Sequence, residues 1–234
     1  YRRLNRDERG GTLRGLLPIL REWLAAPDAR VVLDNTYPSR ALRTEVLDVA
    51  WDAGASVRVV YVDTPHEVCQ VRVIWRTLER YGRLPDPTER EVLARTDPHA
   101  LGPSALTRWR QQLEIPEPDE GFELHHHPHT GPPVPWSGHG ATFVDIAVRV
   151  PLEGELAVGW TPDGAPDGVD GAFCTHPPGP AVCWCRPPLP GLLLSLCHNR
   201  GIDPTKSTLI AESPAMRRCA QSVGMRVIAP ASGR

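Results

Sequence analysis

The feature that most constrains the fold is a short apolar run, Val31-Val32-Leu33, which ends in polar residues and then a proline. Such a run without a polar interruption is typical of a strand buried in a parallel sheet. Ligands of open α/β sheets lie outside the carboxyl ends of the strands, so the pattern predicts a phosphate and metal site here. The alternative is a strand that ends in an Asx turn and binds nothing. The polar residues concerned are Asp34, Asn35, Thr36 and Arg40.

The elements around this strand alternate between helix and strand. Apolar residues recur at helical spacing after Ser39, and Val57 to Val62 is the next apolar run. A further helix from His66 presents Arg76 and Arg80 four residues apart, on one face. This alternation predicts a parallel α/β sheet with right-handed crossovers.

Composition limits the classes of function. The chain has 26 basic and 28 acidic residues, a net charge of -2, so any nucleic-acid site must be local. It has no apolar run near the length of a membrane span and no signal-peptide pattern at its start, which predicts a cytoplasmic protein without membrane contact. Because Tyr1 is not an initiator methionine, we expect a processed chain or a fragment.

Three stretches, taken in order, resemble the 5′-hydroxyl polynucleotide kinases of the P-loop superfamily, in the form found in bifunctional polynucleotide kinase/phosphatases. They are Asn5-Arg6-Asp7, then Leu33-Asp34-Asn35-Thr36 with Arg40, then the arginine-bearing helix from His66. The resemblance covers residues 1–115. It implies a P-loop kinase domain that uses ATP and Mg²⁺ to phosphorylate the 5′ ends of RNA or DNA, with a ligase or another repair enzyme as a partner.

The resemblance also assigns roles to residues. Asp7 is expected to be the general base that accepts the proton of the attacking 5′-hydroxyl. Arg76 and Arg80 correspond to lid arginines that bind the ATP phosphates. The alternatives are a helix N-cap for Asp7 and a solvated helix face for the two arginines. Asp34 is the remaining catalytic candidate, and the substrate-binding candidates are Arg6, Arg9, Asn35, Thr36 and Arg40.

Two departures from that family stand out. The printed sequence contains no Gly-x-x-x-x-Gly-Lys-[Ser/Thr] stretch, the loop that holds the β and γ phosphates in P-loop kinases. The resemblance therefore implies that the loop precedes Tyr1, and that the sheet lacks the strand carrying it and leaves apolar neighbours uncovered. Gly10 stands where the family has an arginine for the acceptor's phosphate, and Arg9 or Arg14 is the expected substitute.

Residues 116–140 are rich in proline and glycine and contain His125-His126-His127-Pro128-His129. This composition favours an extended linker, and metal binding by the histidines is the alternative. A second domain is then predicted over residues 141–234.

The second domain opens on an apolar strand whose end resembles haloacid-dehalogenase-type phosphatases, in which that strand ends in Asp-x-Asp. Asp145 matches the nucleophile, but Ala147 replaces the general acid. Thr161 matches the hydroxyl of the second motif. Pro188 stands at the place of the family's lysine, and residues 210–213 replace its late Gly-Asp metal ligand. The resemblance therefore implies a degenerate phosphatase with little or no activity.

The most specific motif in the chain pairs Cys174-x-His176 with Cys183-x-Cys185. Three thiolates and one imidazole in two close pairs predict a closed tetrahedral site for structural Zn²⁺. The alternative is four unliganded surface residues. Cys197 and Cys219 lie at apolar helix positions and are predicted to be core residues.

Together these patterns predict an α/β chain of two three-layer parallel-sheet domains, a truncated P-loop kinase-like one followed by one of haloacid-dehalogenase type. The predicted function is ATP-dependent phosphorylation of 5′-hydroxyl polynucleotide ends. The competing hypothesis is a non-catalytic scaffold or pseudoenzyme that binds nucleic-acid ends or a repair partner.

Overall fold

The computed structural model describes residues 1–179 and 183–230, so the end of the predicted second domain and residues 180–182 lie outside the described residues. The chain divides into two compact units. The first contains Tyr1–Asp63 and Thr107–His129, and the second contains Thr64–Leu106 and Thr130–Arg234. Their strands pair only in parallel, which confirms the predicted α/β class with parallel sheets.

The first unit is built from short strands and three helices. In chain order these are β1 (Arg2–Leu4), α1 (Arg6–Arg9), α2 (Leu17–Leu24), β2 (Val31–Leu33), α3 (Arg40–Asp52), β3 (Arg58–Asp63) and β4 (Glu123–Pro128), with 3-10 turns at Arg14–Leu16 and Pro118–Glu120.

These strands form two separate two-stranded sheets. β1 pairs with β2, with Leu4 opposite Leu33, and β3 pairs with β4, with Asp63 opposite Pro128. Within the described residues, each of the four strands has one edge that pairs with no other strand. The prediction that residues 31–33 are fully buried is wrong, since Val32 is 41% exposed. The reason is that a two-stranded sheet covers few of its own side chains.

The core of the first unit lies where α2 and α3 pack beside β1 and β2. α3 begins after Ser39, whose hydroxyl accepts a hydrogen bond from the Leu42 backbone N–H at 3.4 Å, and such an N-cap satisfies one unpaired donor of the first turn. The buried side chains of this core are Leu4, Leu16, Leu20, Trp23 and Val49.

A buried ion pair joins α3 to the 3-10 turn at Pro118–Glu120, in the first unit. The Arg43 guanidinium donates to both carboxylate oxygens of Glu120 at 2.7 Å, and the two side chains are 7% and 2% exposed. Arg43 also donates to the carbonyls of Tyr37 and Glu114 at 3.1 and 2.9 Å. Burial alone acts to raise the pKa of Glu120, but the hydrogen bonds from Arg43 and the Glu117 backbone lower it overall. The glutamate is therefore held as a carboxylate.

The second unit is built around a five-stranded parallel sheet in the order β7-β6-β5-β8-β9. Its elements are α4 (His66–Tyr81), α5 (Pro87–Leu93), α6 (Pro103–Gln112), β5 (Thr142–Asp145), β6 (Glu155–Trp160), β7 (Gly171–Cys174), α7 (Gly191–Arg200), β8 (Thr208–Ile210), α8 (Pro214–Ser222) and β9 (Arg226–Ile228), with a 3-10 turn at Pro204–Lys206. α6 begins in this unit and ends in the first.

The core of this second unit is formed by α4, α7 and α8 together with one face of the sheet. On α4, Val71, Ile74 and Leu78 are fully buried, and they belong to one cluster with Phe143 of β5 and Leu193 of α7. The strand order reverses at β5, with β6 and β7 on one side and β8 and β9 on the other. The carboxyl end of β5 is therefore the topological switch point, where α/β sheets usually bind ligands.

This division differs from the predicted boundaries at residues 115 and 140. Residues 64–106 group with the second unit, because the apolar stripe of α4 is buried in the core of that unit. Within the predicted linker, β4 pairs with β3 over residues 123–128, so its backbone is hydrogen-bonded rather than solvated. His126 stacks on Tyr61 at a centroid distance of 5.6 Å. None of the described helices is long and apolar enough to cross a membrane.

We predict that Arg43→Met destabilises the first unit by about 3–5 kcal/mol, because it leaves the buried Glu120 carboxylate without its cation. The matched control is Arg40→Met on the same helix, since Arg40 pairs with Asp119 at 2.8 Å through side chains that are 46% and 64% exposed. We expect the control to cost less than about 1 kcal/mol. Chemical denaturation measures both values, and equal losses in the two variants would contradict this account of the ion pair.

Candidate functional site

The first group of candidate residues lies where β1 and β2 end. The Asn5 side-chain amide donates to the Asp34 carbonyl at 2.6 Å, and the Arg6 backbone N–H donates to the Asn35 side-chain oxygen at 2.7 Å. The Asn35 amide in turn donates to the Leu4 carbonyl at 3.0 Å. The structure therefore brings residues 5–7 and 34–35 together, although about thirty positions separate them in the sequence.

Asp7 does not cap a helix, so that alternative is wrong. The cap of α1 is Asn5, whose side-chain oxygen accepts from the backbone N–H of Asp7 at 2.7 Å and of Glu8 at 3.2 Å. The Asp7 carboxylate accepts from Arg6 Nη2 at 2.9 Å, and its side chain is 40% exposed. The Asp7 carboxylate is therefore exposed to solvent, and it has room to accept a further hydrogen bond.

Most of the other candidates of this group already contact neighbouring side chains. The Asp34 carboxylate accepts from Arg3 Nε at 2.9 Å and from Arg3 Nη2 at 2.6 Å. Arg9 lies over the ring of Trp23, with its guanidinium carbon 4.9 Å from the ring centroid. Arg40 is paired with Asp119, and Thr36 is exposed. Sequence patterns did not identify Arg3, which is the residue that holds Asp34.

The two predicted lid arginines lie on α4, in the second unit. Arg80 Nε contacts the Asp97 carboxylate at 2.6 Å. This carboxylate is buried, and it also accepts from the Tyr81 hydroxyl and from the His99 backbone N–H. Burial acts to raise the pKa of Asp97, but these hydrogen bonds and the Arg80 charge lower it overall. Arg80 is thus part of a structural ion pair, whereas Arg76 is exposed.

The four predicted metal ligands form one cluster. Their ligand atoms all lie within 4.8 Å of one another. Cys174 Sγ lies 3.8 Å from Cys183 Sγ, and His176 Nδ1 lies 3.4 Å from Cys174 Sγ and 3.2 Å from Cys185 Sγ. A tetrahedral zinc ion with Zn–S bonds of about 2.3 Å separates neighbouring sulfurs by about 3.8 Å. The distances and the donor set therefore fit Zn²⁺.

The thiols of the cluster influence one another's protonation. Hydrogen bonds from Cys174 and Cys185 lower the pKa of the Cys183 thiol, while the Cys185 thiol, beside Cys174 and Cys183, has a raised pKa. Three adjacent thiolates repel one another, so all three can be ionised together only around a metal ion. The residues can thus hold one metal, with no ligand position left open for water.

Neighbouring side chains fix the backbone of this cluster. Trp160 Nε1 donates to the His176 carbonyl at 2.9 Å. Arg186 donates to the carbonyls of His176 at 3.3 Å and Gly179 at 2.7 Å, and its guanidinium lies 5.3 Å from the centroid of the Trp160 ring. Asp86 approaches the outer nitrogen of His176. Sequence reasoning missed these three supporting residues, because their contacts depend on the fold and no zinc motif includes them.

The phosphatase-like candidate, Asp145, lies at the carboxyl end of β5, at the switch point of the second sheet. It is 3% exposed and accepts a hydrogen bond from the Ala147 backbone N–H at 3.1 Å. Burial raises the pKa of Asp145, and the Ala147 hydrogen bond only partly opposes this. Thr161 follows β6, and its buried hydroxyl oxygen has no hydrogen-bond partner among the described residues. Glu212, at the late position, is exposed.

Comparison with known families finds a match for the first part of the chain. Residues 2–99 match a family model described as AAA domain, which is a P-loop NTPase-like kinase family. No curated protein matches the chain. The matched residues include the candidates at the ends of β1 and β2 and the helix α4, and they end before the metal cluster. Residues 2–99 are therefore similar to a kinase-like nucleotide-binding domain.

Proposed function

We propose that this chain belongs to an ATP-dependent enzyme that phosphorylates 5′-hydroxyl ends of RNA or DNA in nucleic-acid end healing. The observation that carries the proposal is the pairing of residues 5–7 with residues 34–35 at one sheet edge, inside the part that matches a P-loop NTPase-like kinase family. A cytoplasmic location and a ligase or other repair partner belong to the same proposal.

The separate strand pairs of the first unit support the proposal that a further strand completes its sheet. β1–β2 and β3–β4 are separate parallel pairs, and Val32, Val60 and Val62 are 41%, 60% and 58% exposed. A further parallel strand between β2 and β3 would join the pairs into one sheet and cover apolar side chains. Its carboxyl end would place a phosphate-binding loop beside Asp34. The printed residues lack that loop and its lysine, so by themselves they do not fit ATP with Mg²⁺.

Asp7 is the residue of this chain that acts on the acceptor in this proposal. Its exposed carboxylate pairs with Arg6 and remains able to accept the proton of a 5′-hydroxyl. General base catalysis of this kind contributes about 10² to 10⁴ in rate. Arg9 and Arg40, at the surface of the same unit, supply positive charge for the phosphates of the acceptor strand.

With the coding sequence upstream of Tyr1 included, we predict that Asp7→Asn lowers the rate of 5′ phosphorylation at least about 100-fold, because a neutral amide cannot accept the proton. Binding of ATP is expected to change little. Asp28→Asn is the matched control, since Asp28 is exposed and adopts a positive φ of 58° that asparagine tolerates. Transfer of labelled phosphate to a 5′-hydroxyl oligonucleotide measures both variants. Normal turnover in Asp7→Asn would exclude Asp7 as the base.

We further propose that the cysteine and histidine cluster binds one structural Zn²⁺. Cys183→Ser should release the metal and lower the melting temperature, since binding free energies of structural zinc are on the order of 10 to 16 kcal/mol in model peptides. Cys69→Ser is the control, because Cys69 lies outside the cluster and its thiol donates to the Thr64 carbonyl. Elemental analysis and thermal melting test this together. Less than about half a zinc per wild-type chain would contradict the assignment.

The phosphatase-like position is proposed to be inactive, because Ala147 and Pro188 replace the general acid and the lysine. Asp145→Asn should therefore leave any 3′ phosphatase rate unchanged.

The same substitution, Asp145→Asn, should raise stability above neutral pH. The folded-state pKa of Asp145 is raised, so its contribution to stability is complete below the unfolded pKa and is lost as pH rises through the folded value. We thus expect Asp145→Asn to melt at a higher temperature than wild type at pH 8, and we expect the difference to disappear at about pH 4. A phosphatase signal that disappears with Asp145 would overturn the inactive assignment, and a lower melting temperature at pH 8 would overturn the account of its burial.

A second candidate function is a non-catalytic scaffold that binds nucleic-acid ends or a repair partner. The replaced phosphatase positions and the lack of a P-loop motif in the printed residues favour it. The phosphate-transfer assay separates the two candidates, because a scaffold gives no transfer even with the upstream sequence present.

A further inference from the structure

The two ring nitrogens of His176 face different partners. Nδ1 lies 3.4 and 3.2 Å from the sulfurs of Cys174 and Cys185, whereas Nε2 lies 3.2 Å from Asp86 Oδ1. A neutral imidazole that binds a metal through one nitrogen carries its proton on the other. The geometry therefore assigns Nδ1 as the metal ligand and Nε2–H as a donor to the Asp86 carboxylate.

Asp86 lies immediately before α5, at the N-cap position of that helix. An aspartate there usually accepts a hydrogen bond from a backbone N–H of the first turn. The Asp86 side chain makes no such capping bond. It contacts His176 instead, ninety positions further along the chain. Within the same segment, Arg83 donates to both carboxylate oxygens of Glu89 at 2.8 and 2.6 Å, which restrains the turn that carries Asp86.

We propose that Asp86 is a positioning residue of the metal centre. Its carboxylate accepts the Nε2–H of His176, fixes the tautomer and orientation of the ring, and increases the basicity of the ligating nitrogen. The bound metal thereby fastens the α5 segment, residues 83–93, to the strand end that carries Cys174. This inference goes beyond the kinase function and rests on zinc binding by the cluster.

The exposure of Asp86 and His176 to solvent determines how much the loss of their contact should weaken metal binding. Loss of an outer partner of a metal-bound histidine typically weakens metal binding about 10- to 100-fold. The Asp86 side chain is 72% exposed, and that of His176 is 25% exposed, so water and salt screen the contact. We therefore expect a weakening of about tenfold at low salt, decreasing as the ionic strength rises.

The experiment measures zinc affinity by competition with a chromophoric chelator, using the full chain. Asp86→Ala should weaken binding about tenfold, and Asp86→Asn less, because the amide oxygen still accepts the Nε2–H but carries no charge. Glu91→Gln is the matched control. It removes one negative charge from an exposed position of the same helix without touching the cluster, and it should bind zinc like wild type.

Two further measurements separate positioning from general destabilisation. In the zinc form, nitrogen NMR of His176 should show a protonated Nε2 in wild type, with faster solvent exchange of that proton in Asp86→Ala. Removal of zinc should increase amide hydrogen exchange over residues 83–93 in wild type, and Asp86→Ala should already show most of that increase with zinc bound.

Wild-type zinc affinity in Asp86→Ala, with an unchanged His176 signal, would overturn the role of Asp86 and leave the zinc site intact. Equal weakening in Glu91→Gln would show a general charge effect and would also overturn it. A wild-type chain that binds no zinc would overturn both the metal assignment and this inference, while the kinase proposal, which depends on Asp7, would stand.

Discussion

Parallel pairing of β1 with β2 is the constraint on which the candidate kinase site depends. The register that sets Leu4 opposite Leu33 makes the two strands end at the same level. The side-chain amides of Asn5 and Asn35 then bind the backbone of the opposite strand end. These polar contacts hold Asp7 and Asp34 on one edge of the sheet. The arrangement of residues at this edge thus follows from backbone pairing and two asparagines.

The second unit depends on a different interaction, the burial of α4. The fully buried side chains of this helix share a core with α7, α8 and the five-stranded sheet. Truncating such a side chain to alanine typically lowers the free energy of unfolding by 2–5 kcal/mol. The buried face of α4 therefore stabilises this unit. The ion pair of Arg80 with the buried Asp97 agrees with that role. Of the two arginines predicted to bind ATP phosphates, only Arg76 is exposed without a partner among the contacts of the described residues.

Local patterns were enough to predict part of this structure. The strands at residues 31–33 and 58–63 and the helix after Ser39 follow from apolar periodicity and an N-cap. The convergence of the three cysteines and the histidine is predicted from their spacing, because two close pairs of ligand residues are typical of a tetrahedral zinc site. However, the apolar stripe of α4 predicts only that this helix is buried. It does not predict which of the two units provides the core that buries it. Likewise, β4 pairs through backbone groups that its histidines and proline do not reveal, and Arg43 meets Glu120 across 77 positions.

Calorimetric titration with ATP and Mg²⁺ tests most directly the proposal that nucleotide binding requires a glycine-rich loop with a lysine, a motif that these 234 residues do not contain. The account predicts no binding tighter than about millimolar for these residues alone, because no glycine-rich loop with a lysine is present to hold the phosphates. It predicts binding at about micromolar Kd once the upstream coding sequence is added. Micromolar binding by the 234 residues alone, or none by the extended chain, would contradict it.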